Sequence, residues 1–154
     1  MAVSLRPLVG SEISEFVVAS RDAYLAQRVA AGEDAAEAAR AVAEMSREIF
    51  PDDLLAPGHF VYALEEDGAR VGSLWLGSDS AGRPDEWWVW DIVIDESCRG
   101  RGLGRRCMQL AEREASANGA TGLGLTVFGE NTVARHLYES LGYETVSLRM
   151  TKAL

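Results

Sequence analysis

The sequence has few of the residues that build disulfide frameworks or metal sites. It contains two cysteines, Cys98 and Cys107, and two histidines, His59 and His136. The cysteines are too few for a disulfide-stabilised fold and lack the spacing of metal ligands, so we expect no bound metal. We expect Cys107 to pack in the core. No histidine stands near Cys98 in the sequence, which argues against a nucleophilic role for its thiol.

Long apolar segments and an excess of basic residues are also missing. No stretch approaches the roughly 18 apolar residues of a membrane-spanning helix, and the N-terminus has no apolar signal-peptide segment. The formal net charge of −9 opposes binding to nucleic acid, which depends on Lys and Arg side chains. These absences predict a cytoplasmic protein without nucleic-acid or membrane partners, and the acidity favours a cationic substrate.

Length and composition predict a single domain over residues 1–154. The chain is 47% hydrophobic and 25% charged, as in ordinary globular proteins, and it is long enough to bury a sizeable core. The periodicity predicts the order β-α-α-β-β-β-α-β-α-β, with a final strand in the alternating segment 144–152. This order indicates a mixed α/β sheet flanked by helices.

Local signals place several boundaries in the first half of the chain. Ser11 is the predicted N-cap of the first helix, and Asp34 with Glu37 resembles the capping box of the second. Asp67-Gly68 separates two apolar runs and predicts a hairpin turn, and a loop is predicted over residues 79–85.

A glycine-rich run joins an apolar strand to a helix. The strand is predicted over residues 87–94, and it is followed by Arg99-Gly100-Arg101-Gly102-Leu103-Gly104. Glycine lets the backbone approach a ligand closely, and the first N–H groups of a helix have no partner within it. With Arg99 and Arg101 beside those N–H groups, the run predicts a site for a pyrophosphate.

Two common phosphate motifs do not fit this run. The dinucleotide fingerprint G-x-G-x-x-G needs a glycine where the chain has Arg105, and no G-x-x-x-x-G-K-[ST] pattern exists. The pattern is R-x-x-G-x-G, directly after a strand that ends in Asp95 and Glu96. It resembles the acyl-CoA loop of the GNAT family of N-acetyltransferases.

A second pattern lies downstream in the order that the same family has. A short apolar strand over residues 123–128 is followed by N-x-x-A-x-x-x-Y-x-x-x-G-Y, which begins at Asn131 and contains Tyr138 on the apolar stripe of a helix. This resembles the second signature of the GNAT family. The resemblance covers the whole chain, although the first half matches by element order and not by motif.

The resemblance implies acetyl-CoA as co-substrate and a GNAT-like fold. That fold is a single α/β (α+β) domain whose mixed, mostly antiparallel sheet is flanked by helices and has splayed central strands. The implied cofactor-binding residues are Ile92, Val93 and Ile94 for the pantetheine, Asn131 at the splay, and Arg99, Gly100, Arg101, Gly102, Leu103, Gly104 and Arg105 in the loop. An N-cap or turn role is the alternative for Asn131.

Two residues are the catalytic candidates. The resemblance puts the hydroxyl of Tyr138 near the thioester sulfur, where a phenol can protonate or hydrogen-bond the departing thiolate. The alternative for Tyr138 is an aromatic side chain on the apolar stripe of its helix.

Asp91 lies in an otherwise apolar strand, where burial would raise its pKa toward that of a useful general base. Its alternative is a structural acceptor for the backbone or for an indole N–H of Trp88 or Trp90. His59 is a remoter candidate for the base.

The sequence and the resemblance together predict an acetyl-CoA-dependent N-acetyltransferase. It would transfer an acetyl group directly to a primary amine of a small molecule or peptide, in a ternary complex without metal, as a monomer or homodimer. The alternative is a non-catalytic acyl-CoA-binding or sensing module, against which the presence of Tyr138 argues. The four tryptophans are expected in the core or against a cationic acceptor.

Overall fold

The computed structural model describes residues 1–78 and 83–154, so most of the loop predicted over residues 79–85 lies outside the described residues. The strands are β1 (Val3–Pro7), β2 (His59–Glu66), β3 (Ala69–Ser78), β4 (Glu86–Ile94) and β5 (Gly122–Leu125). The helices are α1 (Ser11–Ala30), α2 (Ala35–Ile49), α3 (Leu103–Ala117) and α4 (Thr132–Ser140). Short 3₁₀ turns cover Pro51–Asp53 and Glu96–Cys98. None of the helices in these described ranges is long and apolar enough to cross a membrane.

The five strands form one mixed sheet in the order β1-β2-β3-β4-β5. Strands β1 to β4 pair antiparallel, and β4 pairs with β5 in parallel. This parallel pairing requires a crossover, which α3 supplies. The expected fold class is therefore confirmed.

The two faces of the sheet carry separate hydrophobic cores. On one face, Leu74, Leu76 and Val89 pack with the buried side of α3, including Met108 and Cys107. On the other face, Trp75 packs with Phe16 and Val17 of α1 and with Ile49 and Phe50 at the end of α2. The alternation of side chains along β3 sends neighbouring residues to opposite cores.

Local signals in the sequence specify several turns and caps. The carboxylate of Asp34 accepts from the backbone N–H groups of Ala36 and Glu37, which confirms the predicted cap of α2. Asp67 (φ 50°) and Gly68 (φ 83°) adopt the positive φ values of a tight hairpin turn, also as predicted. The cap predicted at Ser11 was wrong by one position, because Gly10 is the N-cap and Ser11 is already helical.

The predicted final strand is absent from the C-terminal segment. Residues 144–154 form no helix or strand, and the side chains of Val146 and Met150 are 95% and 87% exposed. The alternating pattern is present in the sequence, but strand formation requires a neighbouring strand to supply hydrogen-bond partners. No strand pairs with this segment in the described chain.

Candidate active site

The site begins where β4 extends beyond its parallel neighbour. Strand β5 pairs with β4 only over Glu86–Val89, whereas β3 continues to pair with Ile92, Val93 and Ile94. Among the described strands, none pairs with the β5-side edge of β4 after Val89. The backbone groups of that edge can therefore bind an extended ligand as an added strand would. The three residues predicted to bind pantetheine lie on this part of β4.

A register shift in β4 accompanies the change in pairing. Trp75 of β3 pairs with Asp91, whereas its neighbour Leu76 pairs with Val89, so Trp90 is the extra residue of a bulge. A bulge bends its strand and re-aims the side chains beside it. Asp91 follows this bulge at the start of the free edge.

The glycine loop leads from this edge into α3. Gly102 has φ 78° and is the N-cap of α3, without a side-chain cap. Among the described residues, none accepts a hydrogen bond from the backbone N–H groups of residues 100–105. A helix N-terminus with unpaired N–H groups attracts an anion. This geometry fits the pyrophosphate of acetyl-CoA, with the loop and the free edge of β4 adjacent in the chain.

Each arginine predicted in the loop also contacts the protein. Arg99 Nε donates to the Ile94 carbonyl at 3.0 Å, and Arg105 donates to Ser140 Oγ at 2.6 Å. Arg101 forms an ion pair of 2.5 Å with Glu66 at the end of β2. These contacts fix the loop to β4, α4 and the hairpin. Sequence reasoning missed Glu66 and Ser140, because nothing near either residue in the chain indicates a contact with the loop.

The remaining loop residues and Asn131 have packing or capping roles in the structure. Leu103 is buried in the core, and a Cβ atom at Gly104 would lie 3.2 Å from Leu137 of α4. Asn131 Oδ1 accepts from the backbone N–H of Ala134, so Asn131 caps α4. The glycine at position 104 lets α3 approach α4 closely. Contacts of these residues with the cofactor remain predictions.

Asp91 is largely buried, and burial is the main cause of its raised pKa. A hydrogen bond from the backbone N–H of Ile92 acts in the opposite direction. The Trp90 indole, one of its proposed structural partners, instead donates to the Ser78 carbonyl at 3.3 Å. The structure therefore leaves Asp91 with a destabilised negative charge, which is suited to accepting a proton.

Tyr138 lies on α4, half-buried against the core beneath the sheet. Its pKa is raised by burial first, and then by electrostatic interaction with Asp91 and, after it, with Cys107. Its hydroxyl makes no hydrogen bond to any residue in the described part of the chain. The phenol is thus protonated at neutral pH and available as a hydrogen-bond donor. Because the charge of Asp91 affects the pKa of Tyr138, the two catalytic candidates interact electrostatically.

His59 does not have the geometry of a general base. It is the first residue of β2. Its Nδ1 accepts from the Trp75 indole N–H at 3.1 Å, and burial lowers its pKa. An indole nitrogen is only a donor, so the neutral ring carries its proton on Nε2 and has no free lone pair. His59 also lies against Trp90, with 5.3 Å between ring centroids.

The two cysteines differ in exposure. Cys107 is fully buried, and burial raises its thiol pKa to about 12. This confirms its predicted packing role. Cys98 is partly exposed, with its sulfur 3.7 Å from Ser97 Oγ.

Comparison with known proteins identifies the family of this chain. Residues 26–143 match the Acetyltransferase (GNAT) family. The Bacillus subtilis protein YdgE, named as an uncharacterized N-acetyltransferase, is 29% identical over 100% of this chain and 99% of its own length. The crystal structure of YycN from the same organism is 25% identical, with a TM-score of 0.87 and 99% coverage of both chains.

A more distant structure shares the fold alone. The structure of AAC(6')-Iy with a bisubstrate analogue that contains CoA has a TM-score of 0.61 and 14% identity, and the match covers 100% of this chain and 99% of that one. The family match over most of the chain agrees with the mixed sheet, in which β4 extends beyond β5, and with both sequence motifs. The chain is therefore an acetyltransferase that belongs to the GNAT family.

Proposed function

We propose that this enzyme transfers the acetyl group of acetyl-CoA directly to a primary amine of a small molecule or peptide. The observation that carries the proposal is the free edge of β4 over residues 90–94, which ends at the glycine loop and begins beside Asp91. The free edge offers backbone groups for the pantetheine, and the glycine loop offers unpaired N–H groups for the pyrophosphate. Asp91 is a proton acceptor at the end of the edge opposite the glycine loop.

Asp91 is the proposed general base. An alkylammonium group must lose a proton before its nitrogen can attack a thioester. A carboxyl whose pKa is raised by burial is a stronger base than an exposed aspartate, so it accepts that proton more readily at neutral pH. Asp91 can do so directly or through one water molecule.

Tyr138 is the proposed donor to the departing thiolate. Its pKa is raised above the ordinary phenol value, whereas a thiol has a pKa of about 8.5. Complete proton transfer from the phenol to the thiolate is therefore unfavourable at equilibrium. A hydrogen bond from the phenol stabilises the thiolate without that transfer, and solvent can supply the proton afterwards.

Proton uptake by Asp91 makes Tyr138 a better donor for the step that follows. The negative charge of Asp91 raises the pKa of Tyr138. When Asp91 accepts the proton of the amine, that charge disappears and the phenol becomes a stronger donor. Tyr138 thus donates best at the stage when negative charge develops on the sulfur.

A thiol-release assay with a panel of amines tests this proposal. The panel should contain a peptide N-terminus, a lysine peptide, a polyamine and an aminoglycoside, each with acetyl-CoA. We expect saturable CoA release with at least one amine, together with the acetylated amine by mass spectrometry. Tight CoA binding without turnover on any amine would instead favour the non-catalytic module. An O- or S-acetylated product would contradict the amine assignment.

A further inference from the structure

The segment 144–152 has the pattern of a strand but no described strand beside it. Its side chains alternate, with apolar residues at positions 146, 148 and 150 and polar residues between them. In the single protomer Val146, Leu148 and Met150 are 95%, 76% and 87% exposed. Three large apolar side chains on one face of an extended segment favour burial against a partner, because that removes their surface from water.

The outer edge of β5 is an open edge of the sheet. Strand β5 pairs with β4 on one side, and no described strand pairs with its other side. It consists of glycine and leucine, without a charge or a proline that would oppose the addition of a strand. The opposite edge of the sheet is β1, which carries Arg6 and Pro7, and both residue types discourage further pairing. The edge suited to accept a strand is therefore that of β5.

The apolar core is incomplete beside this open edge. Leu123 and Leu125 pack against the core beneath α3 but are only partly buried. A cleft of about 220 Å³ lies between α3 and the start of β5, and the side chains that line it are Glu112, Ala115, Ser116, Ala120, Thr121 and Leu123. This cleft is smaller than a typical small-molecule site. A strand added at the edge would place every second side chain on this face, beside the two leucines.

The segment of a protomer does not cover that protomer's own edge. Every residue from 144 to 154 is exposed, although Tyr143 just before them is partly buried against the core beneath α3. Each copy of the chain therefore presents both an open edge and an unpaired strand-like segment. Residues 144–154 contain two basic residues and one acidic residue, whereas the whole chain has a net charge of −9. The segment is thus net basic and is attracted to the net acidic body of a second copy.

We propose that residues 144–152 add as a strand to the outer edge of β5 in a second copy of this chain, and that the second copy returns the same contact. This reciprocal exchange closes a dimer with two-fold symmetry and pairs the open β5 edge of both copies. The apolar face of each segment then extends the core beneath α3 of the other copy. The outer edge of β5 is not the free edge of β4, so this interface goes beyond the proposed acetyl transfer.

Sedimentation equilibrium of the full chain tests the oligomeric state. We expect the mass of two chains and no larger species, because a reciprocal exchange leaves no open β5 edge for a third copy. The mass of one chain at concentrations up to about 100 μM would overturn the proposal, as would growth into larger species with increasing concentration.

A matched pair of variants tests which face of the segment is buried. Leu148→Asn places an amide on the apolar face, and Ser147→Asn places the same amide on the opposite face. Both positions are exposed in the single protomer, so neither substitution should unfold it, which circular dichroism checks. We expect Leu148→Asn to raise the dissociation constant of the dimer at least about tenfold and Ser147→Asn to leave it within about threefold. Equal dissociation constants in the two variants would overturn the proposal.

Photo-crosslinking identifies the chain and the edge that the segment contacts. The photoreactive residue p-benzoylphenylalanine in place of Met150 keeps an apolar side chain on the same face. After irradiation we expect a covalent dimer on a denaturing gel, with the crosslink mapped by mass spectrometry to residues 112–128, which include β5 and the cleft. A crosslink within one chain would mean that the segment covers its own edge, and a crosslink between chains at any other segment would place the interface elsewhere. Either result would overturn the proposal.

Discussion

Burial of single side chains sets the chemistry of this site. The carboxyl of Asp91 and the phenol of Tyr138 both have raised pKa values, and desolvation is the main cause in each case. For the carboxyl this increases basicity, whereas for the phenol it keeps the proton in place. The same physical effect therefore makes one residue a better acceptor and holds the other as a donor.

Substitution of the phenol tests its role as donor. Tyr138→Phe removes the hydroxyl and retains the ring, so the packing of α4 should persist. We expect kcat to fall by about 10²–10⁴ while the Kd for CoA stays within a few-fold. Tyr143→Phe is the matched control, because it removes the hydroxyl of the neighbouring tyrosine. The rings of Tyr143 and Tyr138 pack with 6.0 Å between their centroids. The control should retain kcat within about twofold, and an equal loss in both variants would assign the effect to packing.

Substitution of the carboxyl should affect activity and stability in opposite directions. Asp91→Asn should lower kcat/KM by about 10²–10⁴ and remove the acidic limb of its pH profile. The folded-state pKa of Asp91 is raised, so the folded protein loses stability as pH rises through that pKa. Asparagine cannot ionise. The variant should therefore be at least as stable as the wild type at pH 7, and this advantage should vanish below about pH 4.

The pH profile needs a control for the substrate. An amine titrates as well, and its own pKa can produce an acidic limb in kcat/KM. The profile should therefore be repeated with a second amine of different pKa. An acidic limb that shifts with the pKa of the amine and persists in the Asp91→Asn variant would exclude Asp91 as the base. A lower melting temperature at pH 7 would favour a structural acceptor.

At the scale of elements, the sequence predicts what local chemistry determines. Asp34 caps α2 because its carboxylate reaches N–H groups two and three residues ahead. Asp67-Gly68 turns the hairpin because few other residues adopt positive φ readily. The glycine loop likewise follows from its own residues, and its position between β4 and α3 was predicted correctly.

Features that depend on distant residues were not predictable from the sequence. The segment 144–152 has the pattern of a strand, but no strand lies beside it in the described chain. The hydrogen bond of Trp75 to His59 and the ion pair of Arg101 with Glu66 join different strands and loops. Ser46 stands in an alanine-rich helix, where the sequence gives no sign that its hydroxyl is buried without a hydrogen-bond partner in the described structure.

The element proposed to bind the pyrophosphate can be tested with a pair of nearly isosteric variants that differ in charge. Gly102 has positive φ, which asparagine and aspartate tolerate better than most residues, and a Cβ atom there meets no atom within 4 Å. Gly102→Asp should weaken CoA at least about tenfold more than Gly102→Asn, because only the aspartate adds a negative charge. Pantetheine lacks the pyrophosphate and should bind both variants equally. Equal CoA affinities would place the pyrophosphate elsewhere.

At the scale of the whole molecule, the free edge of β4 lies between two hydrophobic cores. Ile92 and Ile94 pack toward the core beneath α3, whereas Trp90 packs with the core of α1 and α2. The edge of β4 is therefore supported on both faces of the sheet. Such support keeps the backbone of residues 90–94 in place for an added strand.

The proposed order of chemical steps, direct transfer, is supported by the state of the two cysteines. A covalent acetyl-enzyme would require a nucleophilic side chain near the donor, and cysteine is the intrinsically most nucleophilic candidate. Cys107 is buried with a thiol pKa of about 12, so only about one in 10⁵ molecules carries the thiolate at pH 7. Cys98 precedes the loop but has no histidine contact in the described structure to activate it. Direct transfer to the amine avoids both limitations.

Two-substrate kinetics test direct transfer. Initial velocities measured over a grid of acetyl-CoA and amine concentrations should give intersecting lines in double-reciprocal plots, because both substrates must bind before any product leaves. Cys98→Ser should retain kcat within about twofold. Intact-mass spectrometry after mixing with acetyl-CoA alone should show no acetylated protein, since Cys107 is buried and Cys98 has no histidine contact in the described structure. Parallel lines, together with an acetyl adduct that Cys98→Ser abolishes, would replace direct transfer by a covalent route.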